Sequence, residues 1–333
     1  MKENEQDFAL AVDIGATKMD VALIDVHGHA IGEIERHAVP FEGGVASLDR
    51  LLDLLEPFVH RAHRSRNRLR GMGVSLAGLV DMATGRVSIA CNLGWFDVPL
   101  GEIAGARFGL PVYAAMDTRM AALGEATWGA ARGVENFVWV TVGSGLGSCM
   151  FLGGRPYGGD HGFAGVFGHN TVDENNGQPC SCGRRGCLET FASGLALARV
   201  GQAAVAMGHQ TVLRDMAGKQ PVTAEMVLRA SADGDPVAEQ IVTQMVRYLA
   251  IGLGGLGNTL DICLIVVGGG LMKAGPEFLR RIEALTRQHV FSAEVRRDLR
   301  LVPESLPNSA LFGAAASVFQ ARSVEATPAT ERH

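Results

Sequence analysis

The sequence predicts a duplicated α/β architecture with a cleft between its halves, and three observations predict it. A strand, a turn of small residues and a second strand occur at residues 8–25 and again at residues 137–152. Runs with helical spacing follow each hairpin, which supplies the layers that cover a sheet. With 333 residues, the chain is long enough for two lobes, each with its own core.

Taken in order, residues 8–14 form a buried strand and Gly15-Ala16-Thr17-Lys18 a tight turn. Residues 19–25 return antiparallel, and Val26-His27-Gly28-His29 turns into a third strand. Val45, Leu48, Leu51, Leu52, Leu55 and Val59 then recur at helical spacing, which puts a helix on that sheet. Residues 70–75 and 110–115 read as further buried strands separated by a loop at 77–95, and a helix is expected over 117–130. After the second hairpin, helices are expected at 195–207, 223–232 and 236–259. A strand at 262–267 ends in Gly268-Gly269-Gly270 and leads into another helix. The expected lobes are 1–117, closed by a last helix at 309–320, and 118–308; a polar tail at 323–333 is expected to be disordered.

The most specific stretch is Cys180-Ser-Cys182-Gly-Arg-Arg-Gly-Cys187, with His169 just upstream. Gly183 and Gly186 let the backbone turn between three thiolates, and one imidazole completes a Cys3His set. That is the closed composition of a structural zinc site, with no position left for water.

Composition narrows the remaining classes. A net charge of −5 argues against a nucleic-acid partner, which requires a basic surface. The basic run at 61–70 follows an amphipathic helix and reads as its solvated end. Cys91, Cys149 and Cys263 are well separated, which suits a reducing cytoplasm better than a disulfide framework. The polar N-terminus has no signal-peptide pattern, and no apolar run approaches a membrane span, so a cytoplasmic protein is expected.

The turns suggest phosphate chemistry. Glycines expose backbone N–H groups because no Cβ blocks the approach. The Asp13–Lys18 turn adds a carboxylate for magnesium, held through water, and offers Thr17 and Lys18 to phosphate oxygens, with Gly15 at its apex. Thr141, Gly143, Ser144, Gly145 and Gly147 would clamp from the other half, and Gly268, Gly269 and Gly270 suit the close approach of a nucleotide. There is no Walker A motif, and no G-x-G-x-x-G follows the first strand, so P-loop and Rossmann readings are excluded.

Together with Asn92-Leu93-Gly94-Trp95, Asp117, Leu123-Gly124-Glu125, Ala164-Gly165 and Gly168-His169, these motifs resemble the ROK family of sugar kinases and repressors over residues 8–320. The resemblance implies an actin-like, hexokinase-type (ribonuclease H-like) fold and phosphoryl transfer from Mg-ATP to a hexose hydroxyl, usually the 6-OH. It implies that Asp117 is the catalytic base and that Gly78, Asn92, His169 and Glu189 contact the sugar. His169 would face the sugar with one ring nitrogen and zinc with the other. It also implies a homodimer. Taken alone, Asp117 could equally be a helix N-cap.

Several positions depart from the family. Met116 stands where glucokinases carry Asn, Arg119 where they carry a second Asn, and Val166 where they carry Glu; Cys91 replaces a common proline. Met116 and Val166 cannot bind sugar hydroxyls, and each unpaired group costs about 1–3 kcal/mol. The acceptor expected is therefore a hexose or a modified hexose, with an amino sugar such as kanosamine as one candidate. The alternatives are ordinary glucose, or a sugar-binding regulatory protein without catalysis. The DNA-binding repressors of the family carry a winged helix ahead of the first strand, and here the Asp13 strand starts at once.

Overall fold

A computed structural model describes residues 7–39, 44–64, 68–175 and 177–325. The tail expected from 323 onward lies outside the described residues beyond Glu325. By packing, the chain forms two compact units. The first takes the chain up to Glu135, the excursion Gly154–Ala164 and the chain from Ser305 on; the second takes Asn136–Gly153 and Gly165–Glu304.

The first unit opens with β1 (Asp7–Ile14) and β2 (Lys18–Asp25), which pair antiparallel with Asp13 opposite Asp20. Strand β3 (Glu35–Ala38) extends this edge antiparallel. Helix α1 (Gly44–Arg64) covers the sheet with Leu48, Leu51, Leu52 and Leu55. Strand β4 (Arg68–Leu76) joins β1 in parallel.

The expected loop at 77–95 is instead a small antiparallel sheet of β5 (Leu79–Asp81), β6 (Arg86–Ala90) and β7 (Trp95–Val98). Its strands are too short for periodicity to reveal. They are fixed by burial of Val87, Val98 and Trp95, whose indole N–H donates to Ser47 Oγ at 2.6 Å. Helix α2 (Leu100–Phe108) leads to β8 (Val112–Met116), parallel to β4, and α3 (Asp117–Thr127) follows without a break.

The second unit repeats the strand plan. Strands β9 (Phe137–Val142) and β10 (Leu146–Leu152) form the antiparallel hairpin. The chain then makes its excursion to the first unit, which includes the two-residue strand β11 (Arg155–Pro156). Beyond the cysteine loop come α4 (Glu189–Ala192), α5 (Gly194–Ala206), α6 (Leu213–Ala217), α7 (Ala224–Ala232) and α8 (Pro236–Leu260). Strand β12 (Leu264–Gly268) lies parallel to β9. Helices α9 (Pro276–Gln288) and α10 (Ala293–Asp298) precede β13 (Arg300–Pro303), which is parallel to β12. Sheet order β3-β2-β1-β4-β8 in the first unit thus matches β10-β9-β12-β13 in the second, strand for strand and sense for sense from β2 on.

Helix α8 threads the second core with Met245, Leu249 and Leu253. At Gly252 it leaves room for Leu188 and Phe167, since a Cβ there would sit 2.5 Å from Leu188 Cδ2.

The last helix, α11 (Ser309–Glu325), packs in the first unit and extends beyond the expected end at 320. It lies so close to α3 and β4 that a Cβ on Gly313 would strike the Met120 carbonyl, and one on Gly73 the Ala314 carbonyl. Glu125, fully buried at the end of α3, accepts from Ser305 N, Ser305 Oγ, Leu306 N and Ser309 Oγ at 2.7–3.1 Å, which ties α3 to the start of α11. Among the described residues, no helix is long and apolar enough to cross a membrane.

Candidate functional site

The predicted site residues fall in both units, and each set is described where it lies. In the first unit, the β1–β2 turn is closed by Gly15 N–H donating to Lys18 O at 2.9 Å, with Thr17 and Lys18 exposed at its tip. Asp13 lies one residue before the end of β1, with its carboxylate held on both oxygens. Ser75 Oγ, from β4, donates to Oδ1 at 2.7 Å and Asn308 Nδ2 to Oδ2 at 3.0 Å.

Asn308 donates from the same nitrogen to Asp20 Oδ2 at 3.1 Å, while its own oxygen accepts the Leu311 N–H at 3.0 Å, the capping bond of α11. That capping bond fixes the amide's orientation and presents N–H to the two carboxylates. Arg36 clamps Asp20 through two bonds of 2.7 and 2.8 Å and holds its carboxyl below the usual range. Burial pushes the Asp13 pKa up, against the hydrogen bonds from Asn308 and Ser75.

Asp117 follows β8 directly. Met116 occupies the capping position, so Asp117 is the first residue of α3 rather than its cap, and its Oδ1 accepts the Thr118 N–H at 2.7 Å. A helix N-terminus favours a carboxylate. Burial outweighs this, and the Asp13 charge adds to it, so the Asp117 pKa is pushed up to about 6.

Gly78 lies where a Cβ would be 2.7 Å from Ile89 O, so packing alone requires glycine there. Asn92 is exposed in a single 3-10 turn, Cys91–Leu93, ended by Gly94 at φ +62°. Arg119 is buried, and its Nη2 donates to Gly162 O at 2.7 Å.

In the second unit, two glycine turns lie side by side because their strands are neighbours, with Gly268 in register with Thr141. Gly143 N–H donates to Gly145 O at 3.0 Å, Gly194 N–H donates to Gly143 O at 2.7 Å, and Ser144 is exposed at the tip. Gly269, at φ +97°, packs so that a Cβ would be 2.7 Å from Val142 O. Gly147 pairs with Thr141 across the hairpin, and Gly270 begins the 3-10 turn Gly270–Ala274.

Two carboxylates brace these turns. Glu189 Oε2 accepts the Leu146 N–H at 2.8 Å, and Glu304 Oε1 accepts the Gly269 N–H at 3.2 Å. Neither brace is legible in the sequence: Glu189 is expected there only as a sugar contact, and nothing local marks Glu304.

His169, Cys180, Cys182 and Cys187 converge with all four ligand atoms within 4.8 Å of one another. His169 Nδ1 is 3.5 Å from Cys180 Sγ, and Cys182 Sγ is 3.5 Å from Cys187 Sγ. Sulfurs on a tetrahedral zinc lie roughly 3.8 Å apart, so donor set and spacing both fit a structural zinc ion. Since Nδ1 faces the thiols, Nε2 of His169 is turned away from them. The backbone builds the knot through Cys180 N–H to Arg184 O at 2.8 Å and through Gly183 and Gly186 at φ +86° and +71°. The Arg184 N–H and guanidinium lower the Cys182 pKa to about 6, and burial pushes Cys187 up to about 12.

Val166, just before His169, is 45% exposed, while Met116 is half-buried.

Comparison with known proteins supports this picture. The model of the ROK family matches residues 9–321. A glucokinase of Halalkalibacterium halodurans is 34% identical over 82% of this chain and 83% of its own. A ROK family glucokinase from Streptomyces griseus, solved in complex with glucose and AMPPNP, superposes with a TM-score of 0.79 at 28% identity, over 94% of this chain and 99% of its own. A ROK family transcriptional regulator, described as a homolog of the E. coli MLC protein, superposes with a TM-score of 0.86 at 29% identity, over 95% of this chain and 78% of its own. The duplicated α/β fold is that of the ROK hexokinases, and the chain belongs to the ROK family.

Proposed function

We propose that the protein is an ATP-dependent sugar kinase that phosphorylates a hexose or modified hexose, at the 6-hydroxyl, with Asp117 as general base. The observation that carries the reading is the placement of Asp117. Burial at the start of α3 raises its pKa to about 6, where it stays ionised at neutral pH yet binds a proton readily. Phosphoryl transfer passes through a loose transition state, so accepting the hydroxyl proton and positioning the partners are the main tasks.

Asp13, Thr17 and Lys18 on the β1–β2 turn would supply charged and polar groups to a nucleoside triphosphate, and the turns at 143–147 and 268–270, bare of bulky side chains, would let it approach the backbone closely. Asp13 would hold magnesium, whose chemistry is to neutralise charge on the phosphates. Gly78, Asn92, His169 and Glu189 would contact the sugar, and zinc on His169, Cys180, Cys182 and Cys187 would fix the loop that carries His169. A homodimer in the cytoplasm is the assembly and location expected of such an enzyme.

The acceptor is where this chain differs from glucokinases. Met116 and Val166 offer no hydrogen bond, which favours a sugar altered at the hydroxyls those positions would meet; an amino sugar such as kanosamine is one such acceptor. ADP release with Mg-ATP should be measured on glucose, mannose, allose, fructose, N-acetylglucosamine, N-acetylmannosamine and 3-amino-3-deoxyglucose. A modified sugar turning over faster than glucose supports the retuned pocket, and a clear lead for glucose makes the protein an ordinary glucokinase. The similarity to a ROK transcriptional regulator supports a second reading, a sugar-binding regulator. Sugar binding without turnover on any acceptor would establish it.

A further inference from the structure

We propose that a cavity within the first unit binds a sugar-sized ligand through an oxyanion, a phosphate ester or a carboxylate, with Arg119 as the recognising group. The cavity measures about 420 Å³ and is lined by Met82, Ser88, Arg119, Gly158, Asp160 and Phe163 among others. That volume falls within the range of small-molecule sites, roughly 300–1,000 Å³. Arg119 is only 4% exposed, yet among the described residues it has no carboxylate partner. Its Nη2 donates to Gly162 O at 2.7 Å and approaches Gly158 O at 3.5 Å, both neutral carbonyls. Its Nε–H is buried with no acceptor among the described residues.

A guanidinium withdrawn from water without a counter-charge is strongly unfavourable, and neutral carbonyls offset only part of that. A group with this chemistry at the wall of an open cavity calls for an anion. Carboxylates and phosphates both match its fork of donors. Asp117 does not meet the need, because residues two apart on a helix point to opposite sides. The two carboxylates that line the cavity also leave Arg119 unpaired. Asp81 is exposed and accepts from Ala83 N and Thr84 Oγ1 at 2.9 Å each, and Asp160 is exposed. Both stay hydrated at the rim, whereas the cation is buried. Met82 and Phe163, 48% and 53% exposed, add apolar surface for the body of a ligand.

The inference does not depend on the kinase reading, and its test is binding rather than turnover. Calorimetric titration of the full chain would compare inorganic phosphate, glucose 6-phosphate and glucuronate. Wild type would be set beside Arg119→Gln and Ser88→Asp; the second puts a carboxylate in the cavity without altering the Arg119 contacts. Thermal denaturation would confirm that each variant is folded.

The expected result is binding of at least one sugar oxyanion, weakened roughly tenfold or more by either substitution, as befits a charged hydrogen bond. Ser88→Asp alone decides the matter if Arg119→Gln does not fold. A lead for glucose 6-phosphate assigns the site to phosphate esters, and a lead for glucuronate assigns it to sugar acids. Absence of binding by all three probes, or binding that Ser88→Asp leaves unchanged, overturns the proposal.

Discussion

The β1–β2 turn and the β9–β10 turn occupy the same place in two sheets of the same order, yet they are built from different materials. The first carries Asp13, Thr17 and Lys18, and its surroundings add Asp20, Arg36 and Asn308, so its chemistry is charge. In the second, Gly143, Gly145 and Gly147 bare the backbone, and the nearby carboxylates of Glu189 and Glu304 are turned onto the N–H groups of Leu146 and Gly269. The supports differ too. The first unit is locked by helix backbones in near contact at Gly313 and Gly124, the second by a thiol–imidazole knot beside an apolar core. One strand plan thus carries two constructions: one copy gathers charged side chains at its turn, while the other strips its turn to backbone and braces it with two carboxylates.

The comparison is broken most severely at the knot. Removing zinc with a chelator, or Cys182→Ser, should unfold the loop at 169–187 and abolish sugar binding, because metal binding is coupled to folding. Metal analysis, limited proteolysis and sugar titration check this; full sugar affinity in a zinc-free protein would refute it.

Next in size is Asp117→Asn, which should lower kcat by about 10²–10⁴-fold while sugar affinity stays within a few fold. The same change should stabilise the fold. The Asp117 pKa is raised above 3.8, so its ionised form weakens the folded state at pH values above that range. Asn should therefore add on the order of 1–3 kcal/mol above pH 6, with the gain fading as pH falls toward 4. Equal loss of turnover and sugar binding would mean that Asp117 positions the sugar rather than taking its proton.

Much of this was legible in the sequence, for definable reasons. The cysteine loop and both glycine turns are local: their geometry is written in spacing and in the need for φ > 0 at Gly183, Gly186 and Gly269. The strand repeat was equally visible. The small β5–β7 sheet was not, because three- to five-residue strands separated by turns give no period to read. Nor were the groups that brace the site. Asn308 stands before an apolar helix and is recognisable as a cap, but its bond to Asp13 spans 295 residues of sequence. Glu125 belongs to a recognisable motif, yet its role as the anchor of Ser305, Leu306 and Ser309 depends on the return of the chain nearly two hundred residues later. Arg119 read as a departure in the sugar pocket, and its burial against Gly162 O is a packing fact that no local pattern carries.

A milder disturbance is pH. If Asp117 takes the proton, kcat/KM should fall about tenfold per pH unit below about 6, because the protonated carboxyl cannot accept the hydroxyl proton. A profile flat to pH 5 would remove Asp117 from that role.

The smallest expected effect separates support from chemistry in the charged turn. Asn308→Ala removes the capping bond to Leu311 N–H and the amide between Asp13 and Asp20, and should cost about 1–2 kcal/mol in denaturant unfolding. Asn308→Asp is the sharper variant, since aspartate caps a helix as well as asparagine does but offers oxygen where N–H stood. With Asp13 and Asp20 both facing it, a third carboxylate would raise the Asp13 pKa further and disturb the magnesium binding proposed for Asp13. Asn308→Asp should therefore keep more stability than Asn308→Ala yet need a several-fold higher magnesium concentration for half-maximal turnover. If Asn308→Asp keeps both its stability and its magnesium response while Asn308→Ala loses stability, Asn308 serves only to cap α11, and the charged turn needs no support from that helix.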